Sequence, residues 1–156
     1  MTGISREGAA DVGGLPVDVA RFFESYRAAF ERYDSAAIAD LFGYPTHVTS
    51  DGGEVSLACI ATRQEWIRQL DRLLGMYREI GVHTARLAGD SASTLSDRLV
   101  QATVRWALED AGGRLLYHFD AIYTLARIDG TLRITAIAHN ELPRYREALA
   151  RLTPSP

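Results

Sequence analysis

Cysteine occurs once in the 156 residues, at Cys59. One thiol cannot form an internal disulfide, and a zinc site built from cysteines is excluded as well. No apolar run approaches the roughly 20 residues a membrane span needs. The opening stretch, MTGISREGAADVGGLP, has no apolar core of the kind a signal peptide carries. These absences lead to the expectation of a cytoplasmic protein that meets no membrane. Clustered positive charge is missing too. The 17 Lys and Arg are outnumbered by 20 Asp and Glu, giving a net charge of −3, and the arginines are scattered. That argues against a nucleic-acid partner. There is no HExxH, no phosphate-binding loop and no GxGxxG, so neither a metal nor a cofactor is signalled. His47 and His83 lie far apart on expected strands, and Cys59, Trp66 and Trp106 read most simply as structural residues.

What is present is a globular composition, 47% hydrophobic and 24% charged, sufficient for one domain with a real core. Residues 1–14 read as a flexible lead-in, 15–150 as the domain and 151–156 as a frayed end. Pro16 suits the first turn of a helix. Val19, Phe22, Phe23, Tyr26, Phe30 and Tyr33 then recur at spacings of three and four, the stripe of an amphipathic helix. Asp34 or Ser35 can cap a second short helix that stops at Gly43 and Pro45. THVTSDGGEVSLA alternates about Asp51-Gly52-Gly53, a hairpin pattern. Thr62 and Glu65 form a capping box, followed by Trp66, Ile67, Leu70, Leu73, Leu74, Tyr77 and Ile80 at helical spacing, with Gly81 as terminator.

From Val82 the period changes to two. The pattern predicts a strand near 83–88, a turn at Gly89-Asp90, and a long strand ending near Leu108, with a bulge or break at Ser96-Asp97. Two further strands are divided by EDAGG and by Asp129-Gly130. Helices, a hairpin, a helix and then a strand meander make an α+β fold, with three helices from the N-terminal half on one face of a curved, mostly antiparallel sheet.

The last hairpin, YHFDAIYTLARIDGTLRITAIAHNE, carries the candidate chemistry. With a two-residue turn at Asp129-Gly130, Asp120 falls opposite His139. One face then holds His118, Asp120, Ile122 and Thr124 with Thr135, Ile137, His139 and Glu141. The other holds Phe119, Ala121, Tyr123 and Leu125 with Ile134, Ala136 and Ala138. On one reading the apolar face packs on the core and Asp120–His139 is a surface pair. On the other the polar face lines a pocket beneath the helices, and the alanine-rich face is covered by a second copy of the chain.

SYRAAFERYDSAAIADLF, LVQATVRWALEDAGG and GTLRITAIAHNE together resemble the nuclear transport factor 2-like superfamily over residues 17–141. This superfamily includes ketosteroid isomerase, polyketide cyclases of the SnoaL-like kind and limonene epoxide hydrolase. The resemblance implies a cone-shaped, cystatin-like α+β fold with a pocket on the concave sheet face and dimers through the sheet. It favours the pocket reading. Tyr26 matches the position of the isomerase's oxyanion-hole tyrosine. Ser50 and Thr124 stand where that enzyme has its carboxylates, so steroid isomerisation is not implied. The epoxide hydrolase positions correspond to His118, Asp120 and His139, with different residue types. The cyclases' Asp with a nearby His is the closest parallel to Asp120 and His139.

The expectation is therefore a homodimer whose pocket holds an apolar small molecule. Asp120, His139 and Tyr26 would be the catalytic groups for cofactor-free proton transfer, and His118, Ile122, Thr124, Ile137 and Glu141 would line the pocket. The alternative is a non-catalytic binding or dimerisation module with a filled cone.

Overall fold

The computed structural model describes residues 14–153. The expected lead-in over residues 1–14 lies outside the described residues but for Gly14, as do residues 154–156 of the expected frayed end. The elements run α1 (Val17–Glu31), α2 (Ser35–Ala39), β1 (Phe42–Asp51), β2 (Val55–Ile60), α3 (Arg63–Ile80), β3 (Thr84–Ser96), β4 (Leu99–Glu109), β5 (Leu115–Ile128), β6 (Thr131–His139) and α4 (Glu141–Leu152). Local chemistry accounts for most boundaries. The Asp34 carboxylate accepts the Ala37 N–H at the start of α2. Thr62 Oγ1 accepts the Glu65 N–H, and Glu65 reaches back to the N–H of Ala61, so the box closes on the residue before the cap. Gly81 ends α3 in the left-handed region at φ 81°.

The strands form one sheet in the order β2-β1-β6-β5-β4-β3. Among the described residues only the β1–β6 pairing is parallel. Register breaks at Leu87/Gly89, Thr94/Ser96, Leu108/Glu109 and Thr124/Leu125 bend the strands. The helices cover one face. Phe23 of α1 meets Trp106 and Tyr123 edge-on, at centroid distances of 6.4 and 5.0 Å. Phe42 meets Trp66 of α3 at 5.3 Å.

Three sequence expectations are corrected. The turn expected at Gly89-Asp90 is a bulge within a continuous β3, and the chain reverses at Asp97-Arg98 instead. A fourth helix, α4, begins at Glu141, which is therefore not a strand residue. Asp120 does not face His139. At the turn Ile128 pairs with Thr131 as expected, with Asp129 and Gly130 at φ 51° and 79°. Leu125 still pairs with Ile134, but Thr124 pairs with Ala136, so Thr135 is an extra residue. Beyond this bulge the register moves by one, and His139 lies opposite Ala121.

Candidate functional site

The bulge decides which side chains share a face. Along β5, Phe119, Ala121, Tyr123 and Leu125 are buried beneath the helices. Asp120, Ile122 and Thr124 alternate with them and point to the outer face, with Ile122 45% exposed. His118 shares their parity and is half-buried. Without the bulge, Ile137 and His139 would join the outer set. With it they turn inward beside Ala121 and Tyr123 and line a cavity together with Tyr26 and Glu141. The structure thus separates the expected site by strand. His139, Ile137, Glu141 and Tyr26 lie in the cavity wall, whereas Asp120, His118, Ile122 and Thr124 do not. The face expected to meet a second copy is likewise divided, since its β5 half is core.

Asp120 lies on the outer face as an ion pair. Its oxygens accept from Arg105 Nε at 2.8 Å and from Nη2 at 3.1 Å. The guanidinium is the main reason its carboxyl titrates below the usual range. Next to it the Asn140 side chain accepts the Asp120 N–H at 2.8 Å. Asn140 is thereby used to anchor β5 rather than to cap α4. The cap comes from His139, whose Nδ1 accepts the N–H of Glu141 at 3.2 Å. Burial lowers the His139 pKa. A neutral ring that accepts at Nδ1 carries its proton on Nε2, so His139 is a hydrogen-bond donor.

Among the described residues Glu141 is the buried carboxyl, 7% exposed. Its Oε2 accepts two phenolic O–H groups, Tyr77 of α3 at 2.5 Å and Tyr117 of β5 at 2.8 Å. Among the described residues Oε1 has no hydrogen-bond partner. Desolvation pushes the pKa up to about 7, against the two hydrogen bonds that pull it down. Burial raises the pKa of both tyrosines, which keeps them protonated as donors. Tyr26 is also buried among aromatic rings, and desolvation raises its pKa. It stacks on Phe22 and lies edge-on to Tyr123, whose hydroxyl accepts from Trp106 Nε1 at 2.8 Å.

The cavity has two parts. An inner chamber of about 70 Å³ is walled by Tyr26, Phe30, Trp106, Phe119 and Tyr123. A wider vestibule of about 370 Å³ opens between α3, α4 and the β1–β2 hairpin. The two share Val48, Trp66, Leu70, Leu73, His139 and Glu141. The chamber has room for no more than a few waters, whereas the vestibule is in the size range of small-ligand sites. A carboxyl titrating near neutrality and an imidazole N–H, both in the walls the two parts share, can take up and return a proton while hydrogen-bonding an oxygen.

Sequence reasoning did not find Tyr77 or Tyr117 as partners of Glu141. Tyr77 read as one position of a core stripe, and Tyr117 as the start of a strand. Nor did it find Trp66 as a cavity wall. The apolar alternation of Phe119, Ala121, Tyr123 and Leu125 set these residues on one face, but that face was expected to meet a second copy, and the structure makes it core.

The family model described as NTF2-like protein (DUF6841) matches residues 17–142. No curated protein sequence matches the chain. Among solved structures, Aln2 from a Streptomyces species superposes with a TM-score of 0.65 at 15% identity, over 88% of this chain and 94% of that one. An NTF2-like protein with a cystatin-like fold from Novosphingobium aromaticivorans superposes with a TM-score of 0.63 at 14% identity, covering 88% of both chains. A protein of unknown function with a cystatin-like fold from Nostoc punctiforme gives 0.63 at 5% identity, over 80% and 88%. At these identities the likeness concerns the fold.

Proposed function

We propose, from the premise that this chain belongs to the NTF2-like family described as DUF6841, that it binds an apolar small molecule in the vestibule and performs cofactor-free proton transfer on it. The observation that carries the reading is the buried Glu141, fixed through Oε2 by Tyr77 and Tyr117 while Oε1 has no partner among the described residues. As the carboxylate, Glu141 takes a proton from a carbon next to a carbonyl. The electron pair moves onto the carbonyl oxygen, where the His139 Nε2–H donates to the developing enolate. Glu141 then returns the proton to another carbon, to a departing hydroxyl, or to the alkoxide left by ring closure of the same molecule, so no electron donor or acceptor is consumed. A carboxyl with a pKa of about 7 is matched to both halves of this cycle near neutral pH. Isomerisation, dehydration and cyclisation are the reactions of this class.

The outer face of the sheet supports a second copy as partner. Leu57, Thr49, Ala138, Ile122, Thr103 and Ser91 form a row across all six strands without a charge. Leu57 is 79% exposed in the isolated chain. A neighbouring sheet laid on this row buries it, with the Arg105–Asp120 pair of the same face at its rim.

The narrow inner chamber favours a second reading, a binding or dimerisation module whose cone is filled by its own aromatic side chains. Isothermal titration with a panel of small cyclic ketones and aromatic acids separates the two. Binding that is altered in Glu141→Gln and His139→Gln supports the catalytic site. A panel with no binder, together with a Glu141→Gln protein that is merely more stable, supports the filled module.

A further inference from the structure

The vestibule is walled largely by apolar side chains, with Glu141 and His139 at its buried end, and carries a single cation at its rim. Leu70 and Leu73 of α3 belong to the inner wall, while Gln69, Arg72 and Met76 line only the outer part. Arg72 is exposed, and among the described residues it makes no ion pair. It contrasts with Arg27, the cation of the inner chamber, which is held by Glu24 at 2.9 Å and Glu31 at 2.6 Å. Arg68 lies one turn before Arg72 on α3 and is likewise without an ion pair, so two like charges sit at an unfavourable i,i+4 spacing. The carboxyl-bearing side chain of the vestibule wall, Glu141, is at the opposite, buried end and is occupied by the two tyrosines. Ser50 and Ser56 add hydroxyls to the rim.

The geometry points to a carboxylate-bearing ligand, with Arg72 as the residue that selects it. This rests on the cavity being a binding site and names the class of molecule that enters it. The apolar ring or chain of the ligand lies between Trp66, Leu73 and Val48, with its reacting carbon toward Glu141. Its carboxylate lies at the mouth, where the Arg72 guanidinium offers a two-pronged hydrogen bond. The orientation is set by opposite ends. An anion is repelled from the Glu141 end once that carboxyl ionises, and it is attracted to the Arg72 end, so the acid group stays in the wetter part of the cavity.

The test compares 2-naphthoate with 2-naphthalenemethanol, which share a ring and differ in charge. Binding is followed by the chemical shifts of the Trp66 indole N–H and of the His139 ring, which report occupation of the cavity. The full chain binds the acid about tenfold more tightly than the alcohol, and Arg72→Gln removes that preference while leaving the alcohol's affinity unchanged. Arg68→Gln, outside the cavity wall, leaves both affinities as they were. Equal affinities for the two probes, or an Arg68→Gln effect equal to that of Arg72→Gln, overturn the assignment to Arg72 and leave the cavity as a binding site. Failure of both probes to move the Trp66 and His139 signals overturns the binding site itself and the carboxylate inference with it.

Discussion

The hydroxyl of Tyr77 lies 2.5 Å from Oε2 of Glu141 and joins the last turns of α3 to the first residue of α4. Tyr117 of β5 donates to the same oxygen. One carboxyl thus ties together two helices and the sheet at the point where the two parts of the cavity meet. The arrangement is both structural and chemical, and its two roles respond differently to pH.

Glu141 makes stability fall as pH rises. Its folded pKa of about 7 lies above the free value of 4.5. Below the free value both states hold the proton, and burial carries no electrostatic penalty. Between the two values the unfolded chain releases the proton and the folded chain retains it, so stability declines, and the decline is complete above the folded pKa. At about 1.4 kcal/mol per pKa unit the loss is on the order of 3 kcal/mol. Glu141→Gln removes this slope. Urea unfolding at about pH 5 and about pH 8 measures it. A wild-type slope equal to that of the variant would contradict a raised pKa.

Thr46 is fully buried on β1, and its hydroxyl has no hydrogen-bond partner among the described residues. Thr46→Val replaces that hydroxyl with a methyl of similar size. The variant gains about 1 kcal/mol, or roughly 2–4 °C in Tm for a domain of this length. A lower Tm in thermal denaturation would show that the hydroxyl is paired.

Asp120 and His139 separate functionally. Asp120 is held by Arg105 on the outer face, whereas His139 faces the cavity. Asp120→Asn leaves ligand affinity within about twofold, the scale of a surface ion pair. His139→Gln weakens binding of any carbonyl ligand and disturbs the cap of α4, which lowers Tm as well. Calorimetric titration of the two variants side by side checks the contrast, and equal losses would contradict it.

The outer row tests the assembly. Ala138 is exposed between Thr49 and Ile122 at the middle of the sheet. Ala138→Arg places a charge in that row, which a sheet-on-sheet contact cannot desolvate cheaply. The expected outcome in sedimentation velocity is a dimer for the wild type and a monomer for the variant. A wild-type monomer at micromolar concentration would end the dimer proposal.

Much of the architecture is legible in local chemistry. Thr62, Glu65 and Gly81 mark both ends of α3, and Asp129-Gly130 fixes the last turn, because each acts on groups only a few residues away. The bulge at Thr135 is less legible. Threonine suits a regular strand, and only the spacing of the buried Leu132, Ile134 and Ile137 betrays the change of face. α4 does carry signals. Asn140 precedes it, Pro143 sits in its first turn, and Leu142, Tyr145, Ala148, Leu149 and Leu152 recur at helical spacing. Reading His139 and Glu141 as one continuous strand hides them. The pairing of Glu141 with Tyr77 and Tyr117 spans 64 and 24 positions and follows only from tertiary packing. The expected α+β class rests on the overall order of elements and the family resemblance on three stretches of sequence, and the bulge disturbs neither.

The most direct measurement is the carboxyl carbon shift of Glu141 by NMR between about pH 4 and about pH 9, in the free protein and with 2-naphthoate bound. The expected midpoint lies near 7 and rises when an anion occupies the vestibule. A midpoint at the ordinary glutamate value, unmoved by the ligand, would contradict the assignment of Glu141 as the proton-transferring group of a binding cavity.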